Sequence, residues 1–237
     1  ISFYEELSDK LLTYRDRRDD LINKLATVYE SFGMSLPKLE ADELQDIDPF
    51  TVFGLFNKGI TDANRQKIIA GIAEVFDIGA DQPTDFEGIP VLNNLNATFY
   101  AFANDDRRGE NDIDNLWHVF EAELALAADD NEETRKAFVE AFDTAVIQFT
   151  LGWKLTMGLY WARPYNFISL DSRNRWFMYK RQGWLHHCRH SAKGEGLADS
   201  RRRALSRYLR YCQIRARKQR MPVRRLPLAD GCRLRGV

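Results

Sequence analysis

The chain has 237 residues, 44% of them hydrophobic, enough for one or two globular domains with a buried core. A net charge of −1 conceals two opposed parts: residues 179–237 hold 17 Lys and Arg against three acids (Glu195, Asp199, Asp230), a net +14, which leaves residues 1–178 with 17 basic and 32 acidic groups, a net −15. No apolar run reaches the length of a membrane span, since Lys154 interrupts the best candidate, and all three cysteines fall after residue 178. With Ile1 first and no signal peptide before the first helix, the expectation is a cytoplasmic fragment of a longer protein.

Phe3, Leu7, Leu11, Tyr14, Leu21, Leu25, Val28 and Phe32 recur at helical spacing, predicting one helix from Ser2 to Phe32 with a Ser2/Glu5 capping box and a stop at Gly33. Residues 35–48 form an acidic connection containing Pro37. The segment from Asp48 to Thr61 is dense in Phe and Gly and predicts a short buried helix ending in a tight turn at Lys58-Gly59. Thr61 or Asp62 then caps a helix whose inner face carries Ile68, Ile69, Ile72, Val75 and Phe76. Residues 77–90 read as a loop, and Val91–Ala103, apolar with interleaved asparagines, as a helix.

After a polar turn at 107–111, Asp112 or Asp114 caps a helix through Leu116, Trp117, Phe120, Leu124 and Leu126. An acidic turn at 129–133 leads into another amphipathic helix (Phe138, Phe142, Val146, Phe149). Trp153–Arg163 is an apolar helix stopped by Pro164, and Phe167–Leu170 is at most a short strand. The expected fold class is therefore mainly α: a compact helical domain over 1–178, followed by a poorly ordered basic tail over 179–237.

That tail has arginine clusters (Arg201 to Arg203, Arg224-Arg225) and no sustained apolar period. A native nucleic-acid-binding tail is one reading. The favoured one is a frame-shifted, non-native or disordered segment. Read one nucleotide later, the codons for Lys193–Asp199 permit Lys-(Val or Glu)-Lys-Asp-Leu-Pro, an ordinary helix-to-loop connection.

Several chemistries find no support. Gly54, Gly59 and Thr61 echo a phosphate-binding loop, but Ile60 stands where the lysine is required. His186, His187, Cys188, His190 and Cys212 lack metal-ligand spacing. His118 is the single histidine before residue 178 and sits alone on a helix, with no nucleophile motif in the chain. No catalytic residue, metal site or cofactor is expected in this fragment.

The remaining constellation spans Trp153 to Trp176. It gathers aromatic residues, arginines and Asn174, the groups that stack on bases and neutralise phosphates. The same residue types also make ordinary cores and ion pairs.

In this block, Met157-Gly-Leu-Tyr-Trp-Ala-Arg-Pro-Tyr and Leu170-Asp-Ser-Arg-Asn-Arg-Trp-Phe resemble the region upstream of the motor in McrB-like AAA+ proteins. Asp48-Pro-Phe-Thr-Val-Phe-Gly-Leu-Phe-Asn-Lys-Gly-Ile-Thr, Gly88-Ile-Pro-Val-Leu-Asn-Asn and Asn111-Asp-Ile-Asp-Asn-Leu-Trp are similar to the same group. The resemblance covers about residues 3–178. It implies a phage-defence restriction system in which such a segment recognises DNA, including a modified base such as 5-methylcytosine. It also implies a nucleotide-driven motor, absent here, that forms a ring with its neighbours and recruits a McrC-like nuclease subunit.

It supplies no established site residue. On chemistry alone, Lys58, Arg65, Arg163, Arg173, Asn174 and Arg175 are the DNA-contact candidates, and Trp161, Tyr165 and Trp176 the stacking candidates. The competing expectation is a scaffold that contacts the nuclease or neighbouring subunits through its acidic helices without touching DNA.

Overall fold

A computed structural model describes residues 1–94 and 97–176 of the chain; the basic tail lies outside the described residues. The described part is helical, with seven helices and a further helical turn at 172–176: α1 (Ser2–Leu12), α2 (Arg18–Glu30), α3 (Pro49–Gly54), α4 (Asp62–Val75), α5 (Asp112–Ala128), α6 (Glu132–Ala145) and α7 (Trp153–Ala162). No strand occurs among the described residues, and 167–170 is irregular; one isolated bridge joins Lys58 and Leu92.

The single helix expected from Ser2 to Phe32 is two helices with a corner at 13–17. Residues 15–20 offer no apolar side chain for more than a helical turn, so no hydrophobic stripe holds the rod straight. Ion pairs fix the corner instead: Arg15 with Glu121, and Arg18 with both Asp46 (2.9 Å) and Asp114 (2.5 Å). The Ser2/Glu5 capping box does not form, because Ile1 is the N-cap and makes no side-chain bond. Gly33 does end the second helix, at φ +72°.

Asp48 shows why the 48–61 segment is buried whole. Its carboxylate accepts from the Phe50 and Thr51 amides (2.8 and 3.0 Å) and from the Thr51 hydroxyl, which caps α3 without any contact with water. Burial pushes this carboxyl up to about 6, against those hydrogen bonds. Every residue of α3 is buried. Thr61 caps α4 as expected, accepting from Asn64. At α5 the N-cap is Asn111, without a side-chain bond, while the Asp112 carboxylate accepts from the Gly109 amide (2.9 Å). Asn131 and Thr134 form a capping box on α6.

The helices enclose an aromatic core. Phe50 meets Phe120 edge-on at 5.5 Å, Phe99 meets Trp161 at 6.0 Å, and Tyr4 stacks on Phe53. α5 and α6 pack as a helical hairpin, and Phe138 of α6 reaches Phe167 beyond α7. α1 lies against α7, where the Ser8 hydroxyl bonds the Ala162 carbonyl. α7 crosses α3 so closely that a Cβ on Gly158 would stand 2.5 Å from the Phe50 ring.

The helix expected over 91–103 is absent. Its described residues form an irregular strap, with a bridge at Leu92 and a 3-10 turn position at Asn94, bonded to both α3 and α7. Helix formation loses here because the backbone finds better partners elsewhere. Leu92 exchanges bonds with Asn57 and Gly59. The Phe99 amide donates to Thr51 Oγ1 (2.9 Å), and the carbonyls of Thr98 and Phe99 accept from Lys154 and Thr150 (both 2.7 Å). Gly54 makes room for the strap: a Cβ there would stand 2.7 Å from the Ala97 oxygen. No helix among the described residues is long and apolar enough to cross a membrane.

Candidate nucleic-acid interface

Pro164 ends α7, and the chain turns back through bonds from the amides of Asn166 and Phe167 to the Arg163 carbonyl. The return leg is pinned to α7 by the Leu170 amide, which donates to Thr156 Oγ1 at 2.8 Å. Asp171 then opens the turn at 172–176 by accepting from the Arg173 and Asn174 amides (2.8 and 2.9 Å). The Asn174 side-chain nitrogen donates to the Ser169 carbonyl at 2.7 Å. A short, tightly held shelf results beside the first turn of α7.

The Arg175 guanidinium lies over the Trp153 ring at 5.4 Å and bonds the Asp171 carbonyl and Ser172 hydroxyl at 3.4 Å. Arg173 is exposed, as are Trp176 (60%) and Tyr165 (41%). Tyr160 completes the patch. Its hydroxyl is raised first by burial and then by the charges of Asp171 and Tyr165.

The cations of residues 1–176 are mostly committed to the fold. Lys10, Arg15, Arg17, Arg18, Arg65, Arg107, Arg108, Arg135, Lys136 and Arg163 all form ion pairs. Lys24 and Lys154 donate to the carbonyls of Val75 and Thr98. Among the described residues this leaves Lys38, Lys58, Lys67, Arg173 and Arg175 without an acidic partner. Of these, Arg175 lies over the half-buried Trp153 ring, and Arg173 shares the turn 172–176 with exposed Trp176.

The nine candidate residues therefore separate. Arg173, Asn174, Arg175 and Trp176 share the helical turn 172–176, though the Asn174 side chain is already engaged, and Tyr165 is exposed in the turn that follows α7. Trp153 and Tyr160, from the same block but outside the candidate set, join them; their spacing of seven residues on one helix is the sequence signal that points to them.

Three candidates are corrected. Arg65 is buried: its guanidinium bonds the Phe56 carbonyl (2.8 Å) and the Lys58 carbonyl (3.3 Å), pairs with Asp62 and stacks on Phe86 at 4.6 Å. Arg163 is held by Asp9 and by the Glu5 and Ala162 carbonyls. Trp161 is buried, with its indole N–H on the Pro90 carbonyl (3.0 Å), and has no face to offer a base. Each satisfies a carbonyl or a carboxylate that folding would otherwise strand. Lys58 stays half-buried in the turn before α4, its amine pushed down by burial.

His118 lies exposed on α5, and no group of three potential metal ligands gathers among the described residues. One buried acid has no signature in the sequence. Glu123 of α5 is fully buried, neither carboxylate oxygen has a hydrogen-bond partner, and burial raises its carboxyl well above the ordinary value.

No curated protein and no solved structure matches the chain, so nothing in them links it to McrB-like proteins. A family model described as a domain of unknown function, DUF8425, matches residues 1–195, overrunning the charge boundary near residue 178 and spanning most of the chain, which therefore belongs to the DUF8425 family.

Proposed function

We propose that this chain is a non-catalytic DNA-recognition module, the specificity part of a restriction ATPase of the McrB-like kind, acting in the cytoplasm. The observation that carries the reading is the patch at 153–176. In a body of charge −15, two guanidinia without acidic partners stand on the short turn that carries the exposed ring of Trp176, one of them over Trp153, and Tyr165 is exposed in the turn that follows α7. The remaining acids discourage any other approach by a polyanion, so they restrict DNA to this face.

The test is DNA binding by the full chain and by the Arg173→Ala/Arg175→Ala double variant across a salt series. The tail's basic residues contribute equally to both proteins and cancel in the comparison. Each phosphate that is no longer neutralised lowers the log–log salt slope by about 0.7 for a single strand or 0.9 for a duplex. A variant that keeps its circular dichroism and melting temperature yet shows an unchanged slope removes this patch as the DNA site.

A second reading has its own support. Ile147 and Phe149 are exposed apolar residues in the α6–α7 loop, and Phe149 carries the Arg107 guanidinium 3.6 Å above its ring. An apolar spot rimmed by charge fits a protein contact, to the nuclease or a ring neighbour. Under that reading DNA affinity is absent and Phe149→Ala weakens subunit association instead.

A further inference from the structure

We infer that the patch takes an unpaired strand of DNA rather than the groove of a duplex, an inference that rests on the DNA-recognition reading. Charge decides between the two. A duplex presents one phosphate per about 1.7 Å of axis, so one helical turn brings roughly 20 negative charges to the surface. The patch offers Arg173 and Arg175 against them, on a body of charge −15 whose other arginines are all ion-paired among the described residues. Two cations cannot offset that repulsion.

An unpaired strand has a lower charge density and turns its base faces outward. Stacking on an aromatic ring requires no phosphate neutralisation and tolerates any base. The geometry suits that mode. Arg173 and Trp176 stand three residues apart on the helical turn 172–176, hence on one face, so a ring that receives a base has a cation beside it for the adjoining phosphate. Trp176 is 60% exposed and Tyr165 is 41% exposed. Arg175 is already set over Trp153, which fixes its direction before any strand arrives. A duplex buries its base faces and gains nothing from either ring.

The experiment uses the full chain, with a fluorescein-labelled 12-nucleotide oligothymidylate and a 12-base-pair duplex, read by anisotropy at physiological salt. The probed variant is Trp176→Ala, which removes a stacking face and no charge, so the tail's electrostatic contribution is the same in every arm. The expected result is a loss on the order of tenfold for the single strand with less than a twofold change for the duplex. Trp176 is largely exposed, so the variant keeps its fold, and its melting temperature checks this. Equal losses for both oligonucleotides, or no loss for the single strand, overturn the inference while leaving a DNA-binding chain. If neither oligonucleotide binds the unaltered chain, the DNA-recognition reading falls and the inference falls with it.

Discussion

Replacing Glu123 should stabilise the protein, which runs against the usual outcome for a fully buried residue. Its two buried oxygens lack hydrogen-bond partners, and the charge that acts on it, Arg163, is held by Asp9 and two carbonyls. A buried unsatisfied polar group costs about 1–3 kcal/mol. Glu123→Met fills a similar volume without a polar atom, so the expected gain at pH 7 is about 1–3 kcal/mol. At roughly 2–4 °C per kcal/mol for a domain of this size, the melting temperature should rise by several degrees.

The sign of the pH dependence is fixed by the direction of the shift. The folded carboxyl titrates well above its unfolded counterpart, so at intermediate pH the folded state holds the extra proton. The folded protein is then favoured by acid, and this contribution disappears as pH rises from the unfolded value, near 4.3, through the raised folded one. Glu123→Met should therefore gain least near pH 4 and more at each higher pH, by up to about 1.4 kcal/mol per unit. Urea melts of both proteins at pH 4, 5.5 and 7.5, followed by far-ultraviolet circular dichroism, measure it. Glu123→Gln separates two causes, because it removes the titration yet keeps an unsatisfied amide, so it should lose the pH dependence but gain less stability. If Glu123→Met loses more than about 1 kcal/mol at pH 7, the carboxylate has a partner and the reasoning is wrong.

Gly158→Ala should cost about 1–3 kcal/mol in a thermal melt, because the added methyl meets the Phe50 ring at 2.5 Å in a packed core; an unchanged melting temperature would show that α3 and α7 can part. Arg65→Met should cost a similar amount by stranding the Phe56 and Lys58 carbonyls, while leaving DNA affinity per folded molecule unaltered. Trp161→Phe should destabilise by about 1 kcal/mol or more through loss of its bond to the Pro90 carbonyl, with no change in oligonucleotide binding. A drop in affinity at normal stability for either variant would return that residue to the interface.

The helices are legible wherever an apolar stripe coincides with a cap. Thr61, Gly33 and Pro164 mark real ends, and Phe138 with Phe142 marks a real inner face. The corner at 13–17 is hidden because spacings of seven hold across it: Tyr14 and Leu21 sit a heptad apart whether or not the rod is continuous. The strap at 91–103 misleads for another reason. The backbone groups of Thr98 and Phe99 are satisfied by side chains 48 to 56 positions away, and no local pattern encodes that. The site is half legible. Composition locates the arginines and aromatic residues, but separating exposed Arg173 from interior Arg163, or Trp176 from Trp161, depends on which carbonyls need a donor. That information exists only once the tertiary fold is assembled.

The strap has a consequence for how this protein comes together and comes apart. A helix closes its own hydrogen bonds and can form early, whereas residues 98 and 99 depend on distant groups: they borrow a hydroxyl from Thr51, another from Thr150 and an ammonium from Lys154. Both α3 and the start of α7 must be in place before those bonds exist, so they form and are lost together with the packing of the two helices. In hydrogen exchange the Phe99 amide should accordingly open only with the global transition, although it belongs to no helix or sheet. Thr51→Val should convert it into a locally exchanging site while the surrounding helices stay protected.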